Sequence, residues 1–398
     1  MSTPTEPMPT WPYFDDEQID VVAEVLRSGK INYWTGEHGR LFEQEFAEYV
    51  GCRYGIALAN GSVALELALY ALNIGVGDEV ITSSRTYIAS ASSIVLRGAT
   101  PVFADVDRDS QNLTLETVKK VVSPNTKAII AVHLAGWPSI TDDLMSFATE
   151  TGIKVIEDCA QAQGATYKGR QVGSFGHVAA FSFCQDKIMT TGGEGGMVTT
   201  NDLGLWSKMW SYKDHGKSWD LVHEQKNAPG FKWLHDSIGT NWRMTEMQAA
   251  LGRLQLKKLA DWTLQRRSNA QRIWNAIASC VALRVPEIPN DIQHAAYKCY
   301  AFVRPEKLRS DWSRDRVIAE INALGVACFS GSCAEVYREQ AFDQLKFKPS
   351  NRHPMAQELG ETSLMFLVHP TLSESDIERS CAAIIQVMES ATDTGARP

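Results

Sequence analysis

The sequence predicts an α/β fold with a mostly parallel seven-stranded sheet and a smaller α+β domain at its C-terminal end. Short apolar runs alternate with helical patterns over the first half of the chain, which is typical of βαβ units. Two of these runs are joined by residues 184–195, a segment too short and glycine-rich for a crossover helix. One of the seven strands should therefore be antiparallel.

The predicted elements follow one another in a regular order. A helical pattern at 15–28 comes first, and seven apolar runs are then expected as strands: 55–60, 79–84, 101–106, 128–133, 154–158, 178–183 and 196–200. Helical spacing covers 245 to about 279, followed by a strand at 300–303 and helices at 314–324 and 373–388. We expect a large domain over residues 1–270 and a small one over residues 271–398.

Composition and charge argue against several classes of function. The chain has 398 residues, of which 44% are hydrophobic, enough for a large core. A net charge of -8 with interspersed signs argues against nucleic-acid binding and against a polybasic membrane patch. We also expect no membrane span and no secretory signal. The eight cysteines lack CxxC spacing, so we expect reduced thiols, no metal site and a cytoplasmic protein.

Lys187 is the residue most informative about function. It follows the apolar run 178–183 and precedes a glycine-rich turn, so it should lie at the carboxyl end of a strand, where open α/β sheets bind ligands. A lysine amine there can form a Schiff base with a cofactor aldehyde. Taken alone, Lys187 is explained at least as well as an exposed loop lysine.

Two strand ends could supply the partners of such a cofactor. Gly61 and Ser62 open a helical run, where free amides, the helix dipole and a hydroxyl attract phosphate. Asp158 should emerge at the end of its strand, where a carboxylate can keep a pyridine nitrogen protonated. Ser62 could equally be a helix cap, whereas for Asp158 a helix cap is the less favoured alternative.

Three other residues remain open on local grounds. Tyr87 follows the second strand and could stack on a flat cofactor or pack in the core. Thr245 and Gln248 have capping-box spacing, which explains why a helix starts there. This spacing does not explain why Asn241 and Arg243 stand just before the helix. The glycines at 192–196 do not form a dinucleotide-binding fingerprint.

Taken together, these segments resemble the DegT/DnrJ/StrS family of pyridoxal-phosphate-dependent sugar aminotransferases, which have the aspartate-aminotransferase fold. The similarity runs from about Trp34 to the closing helix, and its strongest stretches keep the family's order: 60–69, 75–89, 98–107, 157–165, 181–202 and 241–256. The resemblance implies pyridoxal 5′-phosphate as cofactor and a homodimer with shared active sites. It also implies transfer of an amino group, with glutamate as the expected donor, to a keto or aldehydo sugar.

The resemblance assigns roles to individual residues. Lys187 matches the Schiff-base lysine, which once released moves the proton, and Asp158 matches the partner of the ring nitrogen. The other matching positions are Gln161 beside the ring and its phenolic oxygen, Tyr87 stacked on the ring, and Gly61, Ser62 and Ser182 as phosphate ligands. Asn241 matches an asparagine that reaches the cofactor phosphate of the other subunit.

Two stretches depart from the family pattern, and the second of them bears on the substrate. Residues 185–186 are Gln and Asp where many relatives carry His and Pro, and residues 328–337 replace the Tyr and His stretch of nucleotide-sugar relatives. Ser330 and Ser332 offer polar groups but little surface for stacking a base. Arg243, with His215 or Arg85, could pair with an anionic group.

The altered stretch 328–337 and these basic residues favour an anionic sugar such as a 3-deoxy-octulosonate 8-aldehyde for lipopolysaccharide, with a nucleotide-linked 3- or 4-keto-deoxysugar as the alternative. Two other classes are disfavoured. The pyridoxal-dependent sugar dehydratases carry histidine at the position of Lys187. For a catalytically silent sensor or regulator on the same fold, no DNA-binding appendage is visible, since residues 1–15 are too short for one.

Overall fold

The computed structural model describes residues 7–224, 233–343 and 347–393. Its strands are β1 (Tyr54–Leu58), β2 (Glu79–Ser83), β3 (Thr100–Ala104), β4 (Thr126–Val132), β5 (Lys154–Asp158), β6 (Thr166–Tyr167), β7 (Arg170–Gln171), β8 (Val178–Ser182), β9 (Gly196–Thr200), β10 (Leu283–Arg284), β11 (Ile292–Gln293), β12 (Cys299–Val303), β13 (Cys328–Phe329) and β14 (Ser363–Phe366). Its α-helices are α1 (Asp16–Ser28), α2 (His38–Val50), α3 (Gly61–Ala71), α4 (Ala89–Leu96), α5 (Leu115–Lys119), α6 (Asp142–Thr151), α7 (Leu203–Lys213), α8 (Trp219–Glu224), α9 (Glu246–Ile277), α10 (Arg314–Ala323), α11 (Pro354–Thr362) and α12 (Glu374–Ala391).

The large sheet has seven strands in the order β1-β9-β8-β5-β4-β2-β3. β9 pairs antiparallel with both β1 and β8, and the remaining neighbours pair parallel. The predicted α/β class, with one antiparallel strand in a seven-stranded sheet, is confirmed. The segment between β8 and β9 allows this pairing because it contains a tight loop instead of a helix.

Helices cover both faces of the large sheet. Alternate strand residues point to opposite faces, so Ile56 and Leu58 pack in one core cluster and Ala57 in another. The first cluster includes residues of α3 and α7, and the second includes residues of α2 and α9. This three-layer arrangement leaves the carboxyl ends of the parallel strands to form a site.

The two longest helices begin as local sequence chemistry requires. The Thr245 hydroxyl and the Gln248 side chain form the expected capping box of α9, and Ser373 and Asp376 form another on α12. Among the described residues, no helix combines the length and apolar character needed to cross a membrane.

The C-terminal part contains a four-stranded antiparallel sheet in the order β10-β12-β14-β13. Its core includes residues of α10 and α12 together with Ala270, Ile273 and Trp274 from the second half of α9. The first half of α9 packs in the large domain through Ala249 and Leu259. The proposed division at residue 270 thus falls inside one continuous helix that belongs to both cores, and it stays a prediction.

Candidate active site

A cavity of about 890 Å³ lies where the carboxyl ends of β5 and β8 meet the N-terminus of α3 and the small domain. Its lining includes seven of the eight residues assigned to the cofactor by resemblance: Gly61, Ser62, Tyr87, Asp158, Gln161, Ser182 and Lys187. These residues come from four separate segments, 61–62, 87, 158–161 and 182–187, so the fold gathers groups that lie far apart in the sequence.

Lys187 lies in the loop after β8, with 17% of its side chain exposed. Its Nζ is 3.8 Å from Asp186 Oδ1 and 5.2 Å from the centroid of the Tyr297 ring. The Tyr297 hydroxyl donates a hydrogen bond to Asp186 Oδ2. Burial alone would raise the pKa of Asp186, but Lys187 and the Tyr297 hydroxyl hold it below its usual value. Asp186 is therefore a carboxylate that faces the amine.

The backbone of Lys187 is held from a distant part of the chain. The Trp11 indole Nε1 donates a hydrogen bond of 2.7 Å to the Lys187 carbonyl. The Trp11 ring packs edge-on against Trp262 at 5.1 Å and lies 4.9 Å from the Arg266 guanidinium carbon. No periodic signal marks a contact across 176 residues, so sequence reasoning missed Trp11.

Asp158 ends β5 and is buried. Ser90 Oγ donates to its Oδ2 at 2.8 Å, and the Ala160 amide donates to Oδ1 at 3.2 Å. Burial raises the pKa of Asp158, and no described side chain forms an ion pair with it. A protonated pyridine nitrogen would supply the missing cation, so this carboxylate fits the assigned cofactor. Nothing in the sequence pattern indicated Ser90.

The N-terminus of α3 forms a cradle that suits a phosphate. Asn60 caps the helix by accepting from the Val63 amide at 3.0 Å, which leaves the first-turn amides of Gly61 and Ser62 without intrahelical acceptors. A Cβ on Gly61 would lie 2.6 Å from the Ser182 Cβ. Glycine is thus required to bring the helix end against Ser182, and the residues present fit a phosphate ester.

Tyr87 and Gln161 lie at different depths of the cavity. Tyr87 is 69% exposed, so its ring is free to cover a ligand and is not part of the core. The Gln161 Oε1 accepts from the Ala135 amide at 2.8 Å, which fixes the side chain in place. The packing alternative for Tyr87 is therefore wrong for the isolated chain.

Of the other predicted site residues, only Ser332 lines this cavity. Asn241, His215 and Ser330 are exposed. Arg243 Nη1 pairs with Asp214 Oδ1 at 2.6 Å. A single chain does not bring these four residues to Lys187, and their assigned contacts stay predictions.

Sequence reasoning also missed Lys298, which lines the same cavity. It precedes β12 in the sequence Tyr297-Lys298-Cys299. The sequence did contain a signal for Lys298. It lies next to an apolar strand, as Lys187 does, so the same reasoning could have marked it as a site residue. The sequence did not show that the small domain would pack beside the carboxyl ends of the large sheet, because the C-terminal strands are short.

Comparisons with known proteins show the family of this chain. The model of the DegT/DnrJ/EryC1/StrS aminotransferase family matches residues 12–385. The chain is 37% identical to GDP-perosamine synthase of Caulobacter vibrioides over 386 residues, which cover 95% of this chain and 97% of that protein. It is 35% identical to UDP-N-acetyl-3-dehydro-alpha-D-glucosamine 3-aminotransferase of Acidithiobacillus ferrooxidans over 371 residues, 93% of each chain.

Among solved structures, the X-ray structure of an aminotransferase from Psychrobacter cryohalolentis matches with a TM-score of 0.95 and 57% sequence identity. The match covers 96% of this chain and 99% of that one. The chain therefore belongs to the DegT/DnrJ/EryC1/StrS aminotransferase family, and it is a sugar aminotransferase that depends on pyridoxal 5′-phosphate.

Proposed function

We propose that this enzyme transfers an amino group from glutamate to the keto group of a nucleotide-linked sugar. The observation that carries the proposal is the single cavity that gathers Lys187, Asp158 and the N-terminus of α3. Two relatives at 37% and 35% identity are named for GDP- and UDP-linked sugars, which favours a nucleotide-linked acceptor over the free octulosonate aldehyde.

In this proposal each part of the cavity has one task. The cofactor, when bound, supplies an aldehyde carbon and an electron-withdrawing ring. Gly61, Ser62 and Ser182 would hold its phosphate, and Asp158 would hold the proton on its ring nitrogen. Tyr87 would cover one face of the ring and exclude water from it. These contacts keep the cofactor in place when Lys187 is not bonded to it.

Lys187 would carry the proton between reactant and cofactor. A free amine at its Nζ can accept a proton from one carbon and return it to another. Asp186, 3.8 Å from this Nζ, stabilises the ammonium form between the two transfers. The bond from Trp11 fixes the backbone from which the side chain moves. The residues at 185–186, where many relatives carry His and Pro, thereby gain a physical role through Asp186.

The site is proposed to be shared between two subunits. Asn241 is exposed and outside the cavity of its own chain, as expected of a residue that contacts a partner's cofactor. Mixing Lys187→Ala subunits with Asn241→Ala subunits should restore activity in hybrid dimers, because one of the two sites is then intact. Confirmed hybrids without recovered activity, when each parent is inactive, would count against sharing.

Absorbance spectroscopy and a substrate panel test the reaction itself. Glutamate should convert the purified yellow holoenzyme to its amine form, and a keto sugar should reverse the change. The panel contains GDP- and UDP-linked 3- and 4-keto sugars together with the 3-deoxy-octulosonate 8-aldehyde. Reversal by the octulosonate aldehyde alone would reject the nucleotide-linked acceptor, and no response to glutamate would reject glutamate as the donor.

A further inference from the structure

Lys298 is a charged residue of the cavity that forms no ion pair with any residue the structure describes. Its side chain is half-buried, and its Nζ lies 4.7 Å from the centroid of the Tyr297 ring. Within residues 7–224, 233–343 and 347–393, no carboxylate forms an ion pair or hydrogen bond with this Nζ. Lys187 Nζ lies 5.2 Å from the centroid of the same ring, so both amines lie beside Tyr297 in one cavity.

The surroundings of Lys298 carry an excess of positive charge. Arg266 is buried nearby, and its Nε and Nη2 have no hydrogen-bond partner. Asp186 is the carboxylate of this group, and it is already engaged by Tyr297 and Lys187. Burial, the largest cause, lowers the pKa of Lys298 to about 8; Asp186 opposes this shift, and Arg266 and Lys187 add to it. An unpaired, partly buried ammonium is unfavourable, so a bound anion would stabilise it.

Neither packing nor the cofactor accounts for this charge. The aliphatic stem of a lysine can pack on a ring, but a neutral side chain of the same length would do so equally well. The cofactor phosphate has its own proposed ligands at the N-terminus of α3 and on Ser182. Lys298 is presented from the small domain, immediately before β12. Because Lys298 also lines this cavity, its charge is available to a reactant bound there.

We propose that Lys298 is a substrate-binding residue whose ammonium pairs with a carboxylate of the reactant held at Lys187. This inference rests on the proposed function, since it takes both reactants to occupy this cavity in turn. The carboxylate has two possible sources. One is the amino donor, and the other is a sugar that carries a carboxylate, such as a nucleotide-linked keto-hexuronate.

Half-reactions distinguish the two sources. The pyridoxal form of the wild-type holoenzyme, Lys298→Met and Lys298→Arg is mixed with L-glutamate, with a nucleotide-linked amino-hexuronate, or with the matching amino-hexose that lacks the carboxylate. Cofactor absorbance in a stopped-flow instrument gives a dissociation constant and a limiting rate for each. Met keeps the length of the stem and removes the charge, whereas Arg keeps the charge.

We expect Lys298→Met to raise the dissociation constant of the carboxylate-bearing reactant about tenfold or more, with little change in the limiting rate. Lys298→Arg should recover most of this loss, and the amino-hexose should bind as in the wild type. An effect confined to glutamate identifies the donor as the source, and one confined to the amino-hexuronate identifies the sugar. Unchanged constants for both carboxylates, or loss of cofactor binding in Lys298→Met, would overturn the proposal.

Two further results keep the proposal open to refutation. If Lys298→Met does not fold, the wild-type enzyme is measured between pH 7 and pH 9, where an ammonium with a pKa of about 8 loses its proton. Carboxylate binding should weaken about tenfold with rising pH, and a flat profile overturns the proposal.

The groups facing Lys298 are Lys187, Asp186, Arg266, Tyr297 and His369. A wild-type enzyme that reacts with glutamate but with no nucleotide-linked sugar refutes the proposed acceptor, while the glutamate constants still decide the role of Lys298.

Discussion

Two adjacent carboxylates at the end of β5, Glu157 and Asp158, point to opposite faces of the large sheet and have opposite surroundings. Both are buried. Glu157 faces a protein interior that satisfies it completely, and Asp158 faces the cavity with few partners. The comparison separates a carboxylate that stabilises the fold from one that is kept available for a ligand.

Glu157 accepts hydrogen bonds from four N–H groups. Its Oε2 accepts from His133 Nε2 at 3.1 Å and from the Gly173 amide at 2.8 Å, and its Oε1 accepts from the amides of Phe175 and Gly176. His133 Nδ1 accepts from the Ser139 amide, so Nε2 carries the proton. Burial alone would raise the pKa of Glu157, but these donors lower it below its usual value.

Asp158 has two donors, Ser90 and the Ala160 amide, and burial raises its pKa. The difference is the number of donors, because both side chains are removed from water. A buried carboxylate short of partners is unfavourable in the empty protein and becomes favourable when a cation arrives. Incomplete satisfaction thus marks the functional residue of the pair.

The largest effect on the cavity side is expected from Lys187→Ala. This change removes both the covalent anchor and the amine that carries the proton, so turnover should fall by about ten-thousandfold or more. The melting temperature of the protein without cofactor should stay close to that of the wild type. Steady-state assays measure the turnover, and a thermal melt measures the melting temperature. Turnover of the variant at the wild-type level would refute the role of Lys187.

Asp158→Asn should lower turnover by about a hundredfold to a thousandfold, because a neutral amide cannot hold a charged ring nitrogen. Folding should be little affected, since the amide keeps the size of the side chain and buries no charge. Single-turnover rates with glutamate measure the effect. Near-normal rates would show that catalysis does not depend on the negative charge of Asp158, although few groups donate hydrogen bonds to it.

Glu157→Gln should lower the stability of the protein and leave its turnover nearly unchanged, which is the reverse of Asp158→Asn. The amide nitrogen would face N–H donors, so the free energy of unfolding should fall by about 2 kcal/mol. Turnover per folded molecule should remain within about twofold of the wild type. Urea unfolding tests this expectation, with the exposed Glu150→Gln as the matched control. A greater loss of turnover than of stability would place Glu157 in the active site.

Ser90→Ala has the smallest expected effect, and it tests one of the two hydrogen bonds that Asp158 accepts. It removes the hydroxyl that donates to Asp158, so turnover should fall about threefold to tenfold. Ser92→Ala on the same helix is the control, because Ser92 makes no hydrogen bond to Asp158. Equal effects of the two substitutions on turnover would show that the loss does not act through Asp158.

Local patterns in the sequence predicted the strands of the large sheet to within one or two residues. The length of one loop also predicted that one strand is antiparallel, and the structure identifies that strand as β9. The family resemblance and its cofactor are confirmed. Two-residue strands such as β6 and β13 were missed, because so few residues show no periodicity. The contacts of Ser90, Trp11 and Lys298 were missed because they join residues that only the tertiary fold brings together.

The bond between Trp11 and the Lys187 carbonyl also sets an order of events during synthesis of the chain. A ribosome adding about 5–20 residues per second makes Trp11 roughly 10–35 s before Lys187 exists. The Trp11 ring also stacks at 6.3 Å on His369, which is made later still. The segment carrying Trp11 therefore cannot complete these contacts until residue 369 has been translated, so the support of the reactive lysine is complete only when most of the chain has been made.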